Sequence, residues 1–326
     1  MNRVKIIGTG SYLPEKILNN KELEQMVDTS DEWITQRTGI KERRIAPEGM
    51  AASDLGKIAA QRAMEDAGID KQDIDLIICC TITPDMVFPA TACLMKEKIG
   101  IDNAAAFDLE AACTGFITGL SVGEGMLRTG NYKNVLVVAS EVLSRITDWE
   151  DRNTCVLFGD GAGAAVLTLS EDNAGILSSY MGSDGSYTDL LKLPAGGSYS
   201  PATINTVKNK MHFLKMSGRE TFKIAIKKMA HSVNQALDKA GVSDRDIKFV
   251  IPHQANLRII ESLAKILKIE MDRVFVNIHK YGNMSAATTA VGLDECLKKN
   301  NIKKGDLLQL VAFGGGLTWG SLIIKF

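Results

Sequence analysis

No run of the roughly 18 apolar residues that a membrane-spanning helix requires occurs in this chain. The apolar start at Val4-Lys5-Ile6-Ile7 breaks at Gly8, too early for the core of a signal peptide. Cysteines are few: the six, at positions 79, 80, 93, 113, 155 and 296, form no CxxC spacing and are too sparse for a disulfide scaffold. Four histidines are scattered without metal-ligand spacing. Neither sign of charge is in excess, with 38 basic against 39 acidic side chains and a net charge of −1, so no global pull toward nucleic acid or a membrane surface exists. These absences predict a cytoplasmic protein in a reducing setting, without structural zinc, nucleic-acid partner or membrane partner. Any charged partner must meet a local patch.

What is present is an ordinary globular composition, 45% hydrophobic and 24% charged, in 326 residues. That length suits one large domain or two of average size. An internal duplication favours two. Ala67-Gly68-Ile69-Asp70-Lys71-Gln72-Asp73-Ile74-Asp75 matches Ala240-Gly241-Val242-Ser243-Asp244-Arg245-Asp246-Ile247-Lys248 at a shift of 173 residues. Each copy follows a helical pattern and leads into a short apolar strand, Leu76–Ile78 or Phe249–Ile251, and then a second helix, near Thr91–Lys98 or Leu257–Lys268. The first half continues with a strand at Ala105–Leu109, an unusually uncharged helix at Thr114–Leu127, where Glu124 is the one charge, and a strand at Val135–Ala139. The second continues with a strand at Val274–Ile278, a helix at Ser285–Leu297 and a strand at Leu307–Phe313; a shift of 170 sets Cys113 opposite Asn283. Alternating strands and helices predict parallel-rich α/β halves, residues 1–172 and 173–326, with the seam near Leu169–Gly175. The helices after Cys113 and Asn283 are apolar or small on nearly every face, so they belong between layers, giving a five-layered αβαβα sandwich. Residues 180–216 fit no repeat and read as an inserted loop region near the site.

Ligand groups in such sheets gather beyond the carboxyl ends of strands. Cys113 stands there, at the start of a helix whose amide dipoles favour a thiolate, with Ala111, Ala112 and Gly115 leaving room beside the sulfur. A buried structural cysteine is the alternative. His253 opens the polar cluster Pro252-His253-Gln254-Ala255-Asn256 between a strand end and a helix start, a place for a cap as much as for a catalyst. Asn283, within Tyr281-Gly282-Asn283-Met284-Ser285, taken alone reads best as a turn residue. Phe313-Gly314-Gly315-Gly316-Leu317-Thr318-Trp319-Gly320 lies between two apolar strands; its glycines serve either a hairpin turn or the approach of backbone N–H groups to a reacting carbonyl. Gly159-Asp160-Gly161-Ala162-Gly163 looks like a dinucleotide loop, but it joins two strands and opens no helix, which excludes a Rossmann site.

Together these residues resemble the β-ketoacyl-acyl-carrier-protein synthase III family over nearly the whole chain. The matching stretches are Asp31-Glu32-Trp33-Ile34 with Arg37-Thr38-Gly39-Ile40, Ala111–Phe116, Phe158–Ala165, Pro252–Arg258, Gly282-Asn283 with Ser285-Ala286-Ala287, and Phe313–Gly320. The resemblance implies a thiolase-like fold and a Cys-His-Asn triad at Cys113, His253 and Asn283. It implies ping-pong chemistry. Cys113 takes a short acyl group from acyl-CoA, with the N–H groups of Cys113 and Gly315 holding the oxyanion. Malonyl-acyl-carrier protein then decarboxylates, and its enolate, stabilised by His253 and Asn283, attacks the acyl group. Coenzyme A is a substrate here, and no cofactor or metal is implied.

The same resemblance sets Trp33 and Arg152 on either side of the CoA adenine, Thr29 and Arg37 at the nucleotide end, and Phe222, Ala255 and Asn256 along the pantetheine tunnel. It carries Phe88 across a homodimer interface into the partner's acyl pocket; without it, Trp33 reads as a helix anchor and Phe88 as core. An acidic carrier protein needs a basic patch. Arg219, Lys223 and Lys227 recur every four residues on one helix, and Arg258, Lys265 and Lys268 line the outer face of another; a solvated face is the alternative. Tyr281 and Met284 depart from the histidine and threonine usual in the family, which bears on pocket shape. A degradative thiolase needs a second cysteine near the final glycine loop, and Phe313–Gly320 has none. A related acyltransferase or secondary-metabolite condensing enzyme, and an inert partner subunit, are the rivals. The length of the acyl primer stays open.

Overall fold

The computed structural model describes residues 3–326. Its first half forms a five-stranded sheet from Val4–Tyr12 (β1), Leu76–Cys80 (β2), Ala105–Leu109 (β3), Asn134–Val142 (β4) and Asp160–Leu169 (β5), in the spatial order β1-β5-β4-β2-β3. β2 runs parallel to β3 and β4, and β5 antiparallel to β1 and β4. The second half contributes Gly175–Ser183 (β6), Ile247–Pro252 (β7), Leu307–Gly314 (β8) and Thr318–Lys325 (β9), ordered β7-β8-β9-β6. The longer helices are Asp31–Thr38 (α1), Ala52–Ala67 (α2), Thr91–Ile99 (α3), Gly115–Arg128 (α4), Gly218–Ala240 (α5), Leu257–Leu267 (α6) and Ala287–Lys299 (α7). None of the helices among the described residues is long and apolar enough to cross a membrane.

Alternation along the strands decides the layering. Leu76, Ile78 and Cys80 of β2 pack with Ile117 and Leu120 of α4, while Ile77 and Cys79 pack with Leu55 of α2 and Met95 of α3. In the second sheet Leu308 and Leu310 of β8 face Val291 and Leu293 of α7, and Val311 faces Val233 of α5 and Ile260 of α6. The strands are therefore apolar on both faces, as a doubly covered sheet demands. The order is α2/α3, first sheet, α4/α7, second sheet, α5/α6, the predicted five layers. Close packing explains why α4 is built from small residues: a Cβ on Gly119 would meet Cys80 Sγ at 2.5 Å and Val137 Cγ1 at 2.8 Å.

Three sequence expectations need correction. Val274–Ile278 is not a strand. Only Val274 bridges to Val250, and a short helix at Ile278–Tyr281 follows. The Gln254 amide takes over the backbone partners a ladder would use: its Oε1 accepts from Asn277 N at 3.1 Å and Ile278 N at 3.2 Å, and its Nε2 donates to Pro252 O at 2.7 Å and Phe275 O at 3.1 Å. The second sheet consequently has four strands where the first has five. Next, Gly159–Gly163 opens β5 rather than joining two strands. Finally, the left-handed residues just ahead of the two central helices, Ala112 at φ +45° and Ser285 at φ +46°, stand 173 residues apart. The repeat offset of 173 thus returns here, Cys113 lies opposite Ala286, and Asn283 falls three residues earlier in a loop of different length.

The inserted region builds a cover for the site. After β6 come a 3₁₀ stretch at Gly185–Leu190, a small antiparallel pair of Leu191–Lys192 with Lys215–Met216, and a short helix at Ile204–Lys208.

Candidate active site

Cys113 sits in a 3₁₀ turn, Ala112–Thr114, that leads directly into α4. The left-handed backbone of Ala112, unusual for a residue with a side chain, sets the angle at which the sulfur leaves the chain. The end of β8 lies against this turn. A Cβ on Gly314 would be 2.5 Å from Cys113 N, so only glycine permits the approach. Thr318 Oγ1, 3.1 Å from both the Ala111 and Gly315 carbonyl oxygens, ties the glycine turn to the nucleophile turn. Among the described residues no backbone carbonyl takes the N–H of Cys113 or of Gly315. Both remain available to an oxyanion.

His253 and Asn283 converge on the sulfur from the second half. His253 N donates to Val311 O at 2.8 Å, which extends β7 onto β8, and its Nδ1 lies 2.6 Å from Thr288 Oγ1. Asn283 is fixed by three contacts: its N donates to Leu157 O at 2.9 Å, its carbonyl accepts from Gly159 N at 3.0 Å, and its Oδ1 accepts from Ser285 N at 2.9 Å. With Oδ1 so engaged, Nδ2 is the end of the amide left to donate into the site. Burial governs the protonation of both titratable groups. It pushes the Cys113 thiol up to about 12 and the His253 imidazole down to about 3. The resting site is a neutral thiol beside a neutral imidazole. Burial of the sulfur opposes the thiolate expected from the helix start.

Two cavities meet at Cys113. The narrower, of about 130 Å³, runs between α5 and α6, lined by Phe222, Ala225, His253, Ala255 and Ile259 among others. The wider, of about 620 Å³, lies on the other side of the sulfur and includes Ile82, Val87, Leu143, Phe158, Leu214 and Gly315 in its wall. Asn283, Leu191 and Met216 border both, so the insertion walls the junction. Neither Tyr281 nor Met284 lines either of these two cavities. The Tyr281 hydroxyl donates to Glu295 Oε1 at 2.7 Å, and Met284 Sδ fills the space beneath Gly161, so the two family departures are absorbed by packing.

The other predicted residues fall in distinct places. Trp33 carries Arg152 and Arg37, with their Cζ atoms 5.2 and 5.9 Å from the ring centroid. Two stacked contacts of about 3.5–4 Å each would need about 7 Å, so no base fits between Trp33 and Arg152 until Arg152 releases the Asp28 carbonyl it holds at 2.7 Å. The Thr29 hydroxyl is buried without a hydrogen-bond partner. Asn256 lines the tunnel, yet its side chain is used structurally: Oδ1 caps α6 at Arg258 N, 2.9 Å, and Nδ2 donates to Arg37 O, 3.0 Å. The Arg258 Cζ lies 5.9 Å over the ring of Phe222, which lines the tunnel, and Arg219 is exposed at the start of α5. Lys223 and Lys227 face a separate depression shared with Asp184, Tyr187, Lys228 and His231; Lys265 and Lys268 are exposed further along α6. Phe88 is not core. It is 82% exposed beside Val87 at 87%. Sequence reasoning missed Glu141, Ser285, Thr288 and Gly314. Glu141 alone left a signal, as an acid at the end of the apolar run Val135–Val142.

Two duplicated α/β halves that bring a buried cysteine, a histidine and an asparagine to one point define a thiolase-fold enzyme of the condensing kind. Residues 107–185 match the family model described as 3-oxoacyl-[acyl-carrier-protein] synthase III, and residues 237–326 match the model of its C-terminal part. A β-ketoacyl-[acyl-carrier-protein] synthase III of Caldanaerobacter subterraneus subsp. tengcongensis is 55% identical over 98% of this chain and 97% of its own length; one of Natranaerobius thermophilus is 54% identical over the full length of both. The solved 3-oxoacyl-[acyl-carrier-protein] synthase III of Aquifex aeolicus superposes with a TM-score of 0.91 at 47% identity, over 99% of this chain and 100% of that one. The chain belongs to the β-ketoacyl-acyl-carrier-protein synthase III family.

Proposed function

We propose that this enzyme condenses a short acyl group from acyl-CoA with malonyl-acyl-carrier protein, releasing carbon dioxide and giving β-ketoacyl-acyl-carrier protein, the first condensation of fatty-acid synthesis. The observation that carries the reading is the meeting of a narrow tunnel and a wide cavity at Cys113, with Asn283 in both walls. The tunnel suits a pantetheine arm and the cavity an acyl chain. Cys113 attacks the thioester carbonyl, and its own N–H with that of Gly315 holds the oxyanion. Coenzyme A leaves, and the malonyl arm enters by the same tunnel. Asn283 Nδ2 and His253 Nε2 then donate to the malonyl thioester oxygen as carbon dioxide departs and an enolate forms. For that, the one proton of neutral His253 must sit on Nε2, and the single Thr288 hydroxyl proton must turn from Ser285 O, 2.9 Å away, to Nδ1, 2.6 Å away. The enolate carbon attacks the acyl group and frees Cys113.

Trp33, Arg37, Arg152 and the unpartnered Thr29 hydroxyl hold the nucleotide end of coenzyme A in this reading, with Phe222, Ala255 and Asn256 along its arm. Arg219 and Arg258 at the mouth, backed by Lys223, Lys227 and Lys265, receive the acidic carrier. A homodimer forms along the edge strand β3, and Phe88 reaches into the partner's wide cavity. The setting is cytoplasmic. The test is intact-mass spectrometry. Incubation with acyl-CoA adds one acyl group to the wild type and none to Cys113→Ala; malonyl-acyl-carrier protein then discharges it as β-ketoacyl product. Stable acylation that malonyl donors cannot discharge overturns the condensing reading in favour of an acyltransferase.

A further inference from the structure

The cover over the wide cavity is tied down at one short stretch of the first half. Among the described residues, the polar ties from its outer part, residues 193–216, to either half all end between Ile146 and Glu150, shortly after β4. Leu214 N donates to Ile146 O at 2.8 Å. Lys210 Nζ donates to Asp148 Oδ1 at 3.1 Å and to Glu150 Oε2 at 2.5 Å, and Lys215 Nζ stands 3.9 Å from Asp148 Oδ2. Asp148 is the centre of this clasp. Its side chain is 8% exposed and its Oδ1 also accepts from Glu150 N at 3.1 Å, whereas the Glu150 side chain is 82% exposed. Solvent and salt weaken the Glu150 pair; loss of a partner from the sheltered Asp148 set leaves a charge uncompensated.

Beside the clasp the two sides meet through apolar side chains. Leu143, Phe158 and Leu214 form one buried cluster, against which Ile146, Leu191 and Met216 pack. All six line the wide cavity. Three belong to the first half and three to the cover, so this part of the wall is a joint between separate pieces. Lys210 and Lys215 bracket Leu214 in the chain, and the Leu214 backbone is bonded to Ile146, so lifting the clasp draws the wall apart. We infer that the Asp148 clasp sets the longest acyl group that Cys113 accepts. The inference rests on the reading of the wide cavity as the acyl pocket. Each further methylene buried against an apolar wall raises acceptance about fourfold, until the chain meets the joint. A longer chain must part Leu214 from Ile146, and the clasp opens with it.

The remaining bonds of the insertion bear a different load. Asp184 and Leu317 exchange backbone hydrogen bonds at 2.8 Å in both directions, which anchors the start of the insertion to the second half. The pairing of Leu191–Lys192 with Lys215–Met216, the bond from Ala195 N to Met211 O at 3.0 Å and the Lys192–Asp189 ion pair all lie within the insertion. They keep the shape of the cover and leave the clasp as its polar latch onto the first half. Asp148, Lys210 and Lys215 line neither cavity. They are positioning residues, which act on the acyl chain only through Ile146 and Leu214.

Two variants test this: Asp148→Asn, which keeps the shape and loses the charge, and Lys210→Met, which keeps the stem and loses the cation. Lys210→Arg is the conservative control. The measurement is the rate of Cys113 acylation, by intact mass, with straight-chain acyl-CoAs of about two to twelve carbons. Amide hydrogen exchange of residues 193–216 is followed on the same proteins. Wild-type rates are expected to rise with length and then fall. In both variants the first chain beyond the wild-type limit is taken up at least about tenfold faster, acetyl-CoA stays within about threefold, and exchange across 193–216 quickens. Lys210→Arg keeps the wild-type profile. A limit that does not move while exchange quickens overturns the inference, and so does exchange that does not quicken in either variant. An equal loss at every length, or a wild type without a limit in this range, overturns it too. If Asp148→Asn does not fold, Lys210→Met decides alone, since that side chain is 40% exposed. Wild-type protein that takes up no acyl group overturns the condensing reading itself, a result distinct from normal acylation whose limit ignores the clasp.

Discussion

Burial at His253 and Glu141 shifts two protonation equilibria in opposite senses, and stability should record both. Folded His253 stays neutral down to about 3, whereas in the unfolded chain it binds a proton below about 6.5. Its contribution is therefore lost as pH falls through the window from 6.5 to 3. Folded Glu141 keeps its proton up to about 7, against 4.5 in the unfolded chain, so its contribution is lost as pH rises from 4.5 to 7. Each approaches a slope of about 1.4 kcal/mol per pH unit for one proton, and between 4.5 and 6.5 they oppose. Urea unfolding should show the pair separate on mutation: Glu141→Gln steepens the acid loss in that window, and His253→Gln reverses its sign. Parallel profiles for wild type and both variants would remove the buried-neutral assignment. Cys113 and His253 stood out in the sequence as candidates at strand ends, whereas Asn283 alone read as a turn residue and joined them only through the family resemblance. Ser285 and Thr288 were not legible, since one hydroxyl among many says nothing until the backbone around it is known.

Among the elements, α5 and α6 carry the docking question. Their inner faces, with Met229 and Val233 on one and Ile260 and Leu263 on the other, are buried on the second sheet, which leaves the basic positions outward. The sequence disclosed that division because helical periodicity separates the two faces. It could not show that Arg258 stands over tunnel-lining Phe222 while Lys223 and Lys227 overlook a neighbouring depression. Charge reversal at Lys223 and Arg258 to Glu is expected to raise the KM for malonyl-acyl-carrier protein about tenfold at low salt, with acyl-CoA loading of Cys113 unaffected. Carrier kinetics that do not move would separate these helices from docking. Val274–Ile278 shows the opposite limit. An apolar run of strand type lost its ladder to the Gln254 side chain, a competition between side chain and backbone that periodicity does not register.

For the molecule as a whole, the duplication and the layer order could be read ahead of the coordinates, because each strand and each central helix announces burial on both sides. Partner contacts are harder to read. β3 pairs only with β2, so one edge of the first sheet is open, beside Val87 and Phe88 in solvent. An open edge beside exposed apolar side chains suits a second copy of the chain. Sedimentation velocity should find a dimer, and Phe88→Asp should raise its dissociation constant at least about tenfold; a wild-type monomer at micromolar concentration would end that reading. The wide cavity and the narrow tunnel meet at Cys113, with Asn283, Leu191 and Met216 in both walls. On the proposed reading the narrow tunnel admits both donors, and that imposes an order of traffic: two donors carrying the same arm must take turns, and whichever is in surplus parks where the other should enter. Flux through the enzyme then depends on the ratio of acyl-CoA to malonyl carrier as well as on their amounts, and too much of either one slows the cycle it feeds.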